Sequence, residues 1–502
     1  MLESYVKRIL GSRVYDLAQE TPLQSAPNLS KRLGAHVYLK REDLQPVFSF
    51  KLRGSFNKMA QMSEADQQRG VITASAGNHA QGVAMAARQL GIKATIVMGK
   101  NTPAIKVNAV KNLGAKAILH GDTYDEAAAH AKVLCQQEGL KYIHPYDDVD
   151  VIAGQGTVGM EIVNQMTETP DAVYVPVGGG GLIAGIAAYV KYLYPKTKVI
   201  GVEPKGSHCL AAALEAGRRV KLPQEELDLF ADGVSVAQIG KETFKVAKQC
   251  VDEVVVVGVD EICAAIKDVF EETRVIAEPA GALAVAGLKK HCKGGHNVAV
   301  ISGANVNFDR LRHISERAEV GEHREAVLAV TIDEQKGSFL KFCRAIGKRG
   351  ITEFNYRYAN GNNSGAHIYV GVEVQTAEDH QGLVGRLSDQ GYQAVDMTDN
   401  EAAKLHVRHM VGGRAGEDRS ELLFRFEFPE RPGALLKFLN GLGADWNISL
   451  FHYRNHGSAF GRVLVGFHAE QSQRAALLKY LKRIGYRFWE ETDNPAYQLF
   501  LS

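Results

Sequence analysis

Ala172-Val-Tyr-Val-Pro-Val-Gly178-Gly179-Gly180-Gly181-Leu182-Ile-Ala-Gly-Ile-Ala-Ala-Tyr-Val190 runs without a charge for about the length of a membrane span. Four consecutive glycines and a proline would ruin a lipid-exposed helix. The stretch therefore reads as a buried strand, a glycine turn and a buried helix. A turn needs one or two glycines. Four allow the backbone to wrap closely around an anion with its N–H groups pointing inward, and the helix behind adds the positive end of its dipole.

Outward from this unit the same rhythm repeats. Short apolar runs predict strands at His36–Leu39, Val71–Ser75, Ala94–Met98, Ala117–His120, Ala172–Val177, Val199–Val202, Val254–Val257 and Asn297–Ile301. Between them, amphipathic stretches predict helices such as His79–Leu90, Tyr124–Gln137, Leu182–Leu193 and Glu261–Glu272. Near-continuous apolar strands alternating with helices are the signature of parallel sheets covered on both faces, so the fold class is α/β. Two further small-residue loops follow strands in the same way, Ser75-Ala76-Gly77-Asn78-His79 and Ser302-Gly-Ala-Asn305. In an open parallel sheet such loops line the ligand crevice beyond the strand ends.

At 502 residues the chain is too long for a single ordinary domain. Its 59 basic and 57 acidic residues leave a formal charge of +2, which gives no domain-wide attraction for nucleic acid or a membrane surface. Six scattered cysteines form no Cys-x-x-Cys pair, so neither a disulfide scaffold nor a metal site is expected. The N-terminal segment lacks a signal-peptide core, and a cytoplasmic location is expected.

After residue 313 the texture changes. The segment His313 to Glu325 is dense in charge and reads as the end of the first unit and a connection to something separate. Beyond it lies an internal repeat. Glu334-Gln-Lys-Gly337-Ser-Phe-Leu-Lys341-Phe342 matches Glu430-Arg-Pro-Gly433-Ala-Leu-Leu-Lys437-Phe438, and Ile351-Thr-Glu-Phe354-Asn-Tyr356-Arg357 matches Ile448-Ser-Leu-Phe451-His-Tyr453-Arg454. Alternating strands are predicted at Ala326–Ile332, Leu422–Phe428, Thr352–Ala359 and His367–Glu373. The order strand, helix, strand, strand, helix, strand describes a ferredoxin-like unit, present twice.

Candidate chemistry begins at Lys51, in Ser49-Phe50-Lys51-Leu52-Arg53-Gly54. Spacing alone reads Lys51 as a solvated lysine opening a helix. Its apolar neighbours also allow partial desolvation, which would make the amine a usable nucleophile. Arg53 reads as a surface or salt-bridge residue, Asn78 and Ser302 as helix caps or as hydrogen-bonding groups at loop tips, and His79 as a cap or a buried hydrogen-bonded residue.

Taken together, the lysine motif, Ser-Ala-Gly-Asn-His, the tetraglycine loop and the late Ser-Gly resemble the fold-type-II (tryptophan synthase β-like) pyridoxal-phosphate enzymes. The full-length layout is similar to the biosynthetic threonine ammonia-lyases, in which a catalytic domain precedes two ACT-like regulatory domains. The resemblance implies a catalytic domain over residues 1–320 and ACT-like domains over 325–400 and 420–494. It implies that Lys51 holds pyridoxal 5'-phosphate as a Schiff base and acts as the catalytic base. Asn78 would bond the ring hydroxyl, Gly178, Gly179, Gly180, Gly181 and Leu182 the phosphate, and Ser302 the pyridine nitrogen. Ser75, Ala76, Gly77 and His79 would bind the substrate carboxylate. Glu278, in Glu-Pro-Ala-Gly-Ala, matches a further family motif without a firm role.

The implied reaction converts L-threonine, and also L-serine, by dehydration and deamination, giving 2-oxobutanoate and ammonia from threonine. This is the first step of isoleucine biosynthesis, inhibited by isoleucine with valine opposing, in a homotetramer. Effector contacts are expected near Gly337, Tyr356, Gly433 and Tyr453. A serine/threonine dehydratase of catabolic type and a non-catalytic amino-acid sensor are the alternatives.

Overall fold

The computed structural model describes residues 1–321 and 325–332, positions 342, 345, 346 and 349, and residues 351–357, 366–407, 421–429, 446–454 and 460–500. It divides into two compact units, Met1–Ile314 and Ser315–Ser502.

In the first unit the alternation of strand and helix is sorted into two sheets. The larger has the order Leu23–Ser25, His36–Arg41, His296–Ile301, Ala172–Pro176, Lys198–Pro204, Glu253–Val257, parallel except for its first edge strand. The smaller is wholly parallel, in the order Lys116–Leu119, Ala94–Met98, Val71–Ala74, Lys141–Tyr142. The eight strands expected from the sequence are present within a residue or two of their expected limits. Leu23–Ser25 and Lys141–Tyr142 are additional; at three and two residues they are too short to show a period.

The decisive stretch forms as read: strand Ala172–Pro176, glycine turn, helix Gly181–Leu193. Both elements are buried because this helix packs on the inside of the unit, against Val149–Gln165, where Ile152, Val158 and Ile162 meet Ile183, Ile186 and Val190 in one core. Helix Lys51–Ala60 approaches Val149–Gln165 through glycine. A Cβ on Gly54 would sit 2.8 Å from the Val151 carbonyl oxygen, and one on Gly154 would sit 2.7 Å from the Gly54 Cα. No helix among the described residues is long and apolar enough to cross a membrane.

The charged segment expected at the end of the first unit contains the division between the units, and its first part is helical, Arg310–Gly321. Its charges pair locally: Arg317 holds Glu401 at 2.6 Å within the second unit. In that unit each repeat copy gives a four-stranded antiparallel sheet. The orders are Ile351–Arg357, Ala366–Glu373, Glu325–Ile332, Gln393–Asp396 and Asn447–Arg454, Phe460–His468, Glu421–Pro429, Arg487–Glu490. The duplication reaches fine detail. Both copies shift register at the same place, between Ile351 and Glu353 and between Ile448 and Leu450. In both, a threonine hydroxyl accepts from the N–H of the central strand at 3.0 Å, Thr398 from Val327 and Thr492 from Leu423. Val327, Ala329 and Tyr369 of the first copy share a core with Leu423, Leu464 and Tyr497 of the second.

Candidate active site

The three loops come to one place, but not along a single sheet. Those after Ala172–Pro176 and His296–Ile301 leave neighbouring strands of the larger sheet, whereas Ser75 follows Val71–Ala74 of the smaller one. The site therefore lies between two lobes.

The glycine loop is built as a set of donors. Three of its carbonyls are taken: Gly178 O accepts from Cys209 Sγ at 3.4 Å, Gly179 O from Thr243 Oγ1 at 2.8 Å and Gly180 O from the Ala184 N–H of the following helix at 3.0 Å. By contrast, among the described residues the N–H groups of Gly178, Gly179, Gly180, Gly181, Leu182 and Ile183 donate to no protein acceptor. A buried loop with its acceptors spent and its donors free fits an anion, reinforced by the helix that starts at Gly181. Side chains are excluded sterically. A Cβ on Gly179 would lie 2.2 Å from the Tyr146 ring, and Gly180 holds φ +89°, where a side chain is strained.

Tyr146 also joins the loop to Lys51. The preceding Pro145 carbonyl accepts from Lys51 Nζ at 3.0 Å, and the following Asp147 caps helix Lys241–Cys250 through the N–H groups of Lys241 and Glu242 at 2.8 and 2.7 Å. Among the described residues no carboxylate lies within ion-pair distance of Lys51 to hold it charged. Burial of its side chain lowers its pKa to about 8, opposed only by the more distant charge of Glu278. Lys51 opens helix Lys51–Ala60 and is partly buried, which favours the desolvated reading.

Two residues further on, Arg53 is fully buried. Its guanidinium grips two carboxylates at once, Glu42 at 2.8 Å and Glu161 at 2.5 Å, and Glu161 also receives Lys40 Nζ at 2.6 Å. Two cations and two anions balance, and the planar fork of arginine satisfies both acids. In the lysine motif, then, Lys51 bonds to Pro145 O beside the glycine loop's neighbour Tyr146, Leu52 serves the core, Arg53 a buried ionic cluster and Gly54 a helix contact.

On the opposite side, the Phe50 N–H donates to Ser302 O at 3.2 Å, tying the lysine segment to the third loop. Ser302 Oγ is buried against Ala280 O at 3.3 Å. Asn78 opens helix Asn78–Leu90 and is not its cap; its amide lies between Asn305 and Glu278, at 2.8 and 2.5 Å. His79 turns away into the smaller lobe, 3.0 Å from Ile143 O, and burial lowers its pKa to about 3, so it is neutral throughout the physiological range. Ser75 Oγ accepts from the Gly77 N–H at 3.2 Å, which shapes the loop. Gly337 and Gly433 lie outside the described residues. Tyr356 and Tyr453 hold equivalent backbone positions, paired with Ile368 and Val463.

Three comparisons bear on this arrangement. Residues 14–303 match the profile of the pyridoxal-phosphate dependent enzymes, and residues 316–407 and 411–501 each match the C-terminal regulatory domain of threonine dehydratase. The biosynthetic L-threonine dehydratase of Burkholderia multivorans is 53% identical over 506 residues, covering 99% of both chains. The chain belongs to the biosynthetic threonine dehydratase family. It is thus a pyridoxal-phosphate-dependent lyase with a duplicated regulatory region, and the donor-only loop and the partly buried lysine fit such a cofactor. Among solved structures, the processed form of threonine deaminase isoform 2 from Solanum lycopersicum is 51% identical, with a TM-score of 0.62, over 63% of this chain and 93% of that one. Serine racemase from Dictyostelium discoideum is 33% identical, with a TM-score of 0.56, over 61% of this chain and 99% of that one.

Asn305, Tyr146 and Asp147 were not picked out by sequence reasoning as site residues. Asn305 stands inside a quoted motif and had a signal; Tyr146 and Asp147 belong to no motif and had none.

Proposed function

We propose that this chain dehydrates and deaminates L-threonine to 2-oxobutanoate and ammonia, and that its C-terminal copies bind isoleucine and valine as opposing effectors. The observation that carries the reading is the neutralisable amine of Lys51, set beside a loop that offers only hydrogen-bond donors. Pyridoxal phosphate, when bound, supplies the electron sink that makes the α-proton of an amino acid removable.

The residues divide the remaining work. The N–H groups from Gly178 to Ile183 hold the phosphate, with Leu182 fixed in the core behind them. Lys51 carries the cofactor and, once its amine is free, takes the Cα proton as general base. A pKa near 8 suits this task near neutral pH. The loop Ser75 to His79 presents backbone donors at the start of helix Asn78–Leu90 to the substrate carboxylate. Asn78 would hold the ring hydroxyl and Ser302 the pyridine nitrogen. A neutral serine cannot keep that nitrogen protonated as a carboxylate would, so the electron sink is weaker and loss of the β-hydroxyl is favoured over racemisation. The released enamine hydrolyses to the 2-oxo acid and ammonia.

The duplicated region supports regulation, because an effector that binds two global states unequally shifts turnover. The sensor-only alternative is disfavoured by the intact Lys51 and glycine loop, and the catabolic alternative by the two C-terminal copies. Purified protein loaded with the cofactor should form 2-oxo acid from L-threonine, less so with isoleucine, with valine restoring the rate. Absence of 2-oxo acid would overturn the reading.

A further inference from the structure

Glu278 is a buried carboxylate with no assigned work. It stands at the N-cap position of helix Pro279–His291 yet makes no side-chain capping bond to it. Its backbone is fixed instead by the third loop, the N–H donating to Gly303 O at 3.1 Å, and its side chain turns to Asn78 across the two lobes. The space around it is closed: a Cβ on Gly303 would come within 2.6 Å of Glu278 Oε1.

Hydrogen bonds run through this point in one direction. Asn305 Nδ2, itself anchored on Val47 O at 2.8 Å, donates to Asn78 Oδ1 at 2.8 Å. Asn78 Nδ2 then donates to Glu278 Oε1 at 2.5 Å. We propose that Glu278 is a positioning residue for Asn78, its carboxylate fixing which end of the Asn78 amide is turned to the cofactor ring. The inference rests on the reading that Asn78 faces that ring. An ionised Glu278 only accepts and Asn305 Nδ2 only donates, so the opposite amide orientation would set donor against donor and oxygen against oxygen. One N–H of Asn78 is thereby left for a ring oxygen. Protonation of Glu278 removes the charge that strengthens its bond from Asn78, while Asn305 Nδ2 still disfavours the opposite amide orientation.

The charges around Glu278 keep this equilibrium within reach. Burial, with help from Asp232, raises its pKa to about 7, while Asn78, Lys106 and Arg310 pull the other way. Lys106 reaches Asp232 at 3.0 Å and Arg310 lies 3.5 Å from it. Lys51 also feels the charge of Glu278.

The test uses full-length protein loaded with pyridoxal phosphate, following cofactor affinity and the visible absorption of the bound cofactor from pH 6 to 9. Glu278→Ala and Asn78→Ala should each weaken retention about tenfold or more, as for loss of a charge-assisted bond, and shift the band alike. The double variant should then add little to Asn78→Ala, since both act through one amide. Glu278→Gln should abolish the change of the band between pH 6 and 8. A purely structural contact would alter stability and leave the band where it is. The proposal is overturned if Asn78→Ala moves the band and Glu278→Ala does not, or if their effects add. It also fails if neither moves the band, and in that case the placing of Asn78 at the ring fails with it. Should Glu278→Ala not fold, Glu278→Gln decides: a pH profile identical to the parent's overturns the proposal.

Discussion

At Glu278 and Arg53 the chain shows two ways of keeping charge indoors. Arg53 is compensated: Glu42 and Glu161 outweigh the burial that works against its charge, and its pKa is raised. Glu278 is not, and burial raises its pKa from the usual carboxylate value to about 7. The folded state therefore binds a proton that the unfolded chain has already released between about pH 4.5 and 7. Stability from this group is full below the lower value and is lost as pH rises through the upper one. In cofactor-free protein, Glu278→Gln should raise the unfolding free energy relative to the parent at pH 8 by about 1–3 kcal/mol more than at pH 5, measured by urea unfolding. An equal change at both pH values would show that Glu278 is not held in this way. Neither role was legible beforehand, because burial is a property of the fold: Arg53 reads as an ordinary charged helix residue until Glu161, far along the chain, is brought beside it. Lys51 was ambiguous for the same reason, since Phe50 and Leu52 permit desolvation without requiring it.

At the scale of elements, glycine sets contacts that periodicity does not report. The strands and helices of the first unit were legible because each has a long apolar or amphipathic period, and the glycine turn because four in a row exceed what a bend needs. Gly54 had no such signal. It lets helix Lys51–Ala60 lie on Val149–Gln165, and with it sets where Lys51 starts. Gly54→Ala should cost about 1–3 kcal/mol by overpacking and reduce cofactor affinity, because the helix start moves with the helix. Urea unfolding and cofactor titration check this, and a stable variant with unaltered affinity would contradict it. The boundary near residue 313 was legible from the change of texture, whereas the helix Arg310–Gly321 that carries it was not, because its charged residues show no apolar face until partners such as Glu401 are in place.

Across the whole molecule, the internal repeat was the most legible feature, since nine identities in register point to one architecture used twice. The equivalent register shifts at Ile351 and Ile448 show that it reaches the backbone. The division of the first unit into two sheets was not legible, because alternation says which strands are parallel but not which are neighbours. That unit has its own cores, and the solved threonine deaminase from Solanum lycopersicum, 93% of whose chain is matched, corresponds to only 63% of this one. Ending the chain after residue 321 should therefore preserve threonine turnover and abolish its response to isoleucine; retained inhibition would refute the assignment of regulation to the C-terminal copies. The proposed chemistry depends on a single amine, that of Lys51. Borohydride reduction of the cofactor-loaded protein followed by peptide mapping should place one pyridoxyl group on Lys51, whereas an adduct at another lysine, or none, would contradict the site as described.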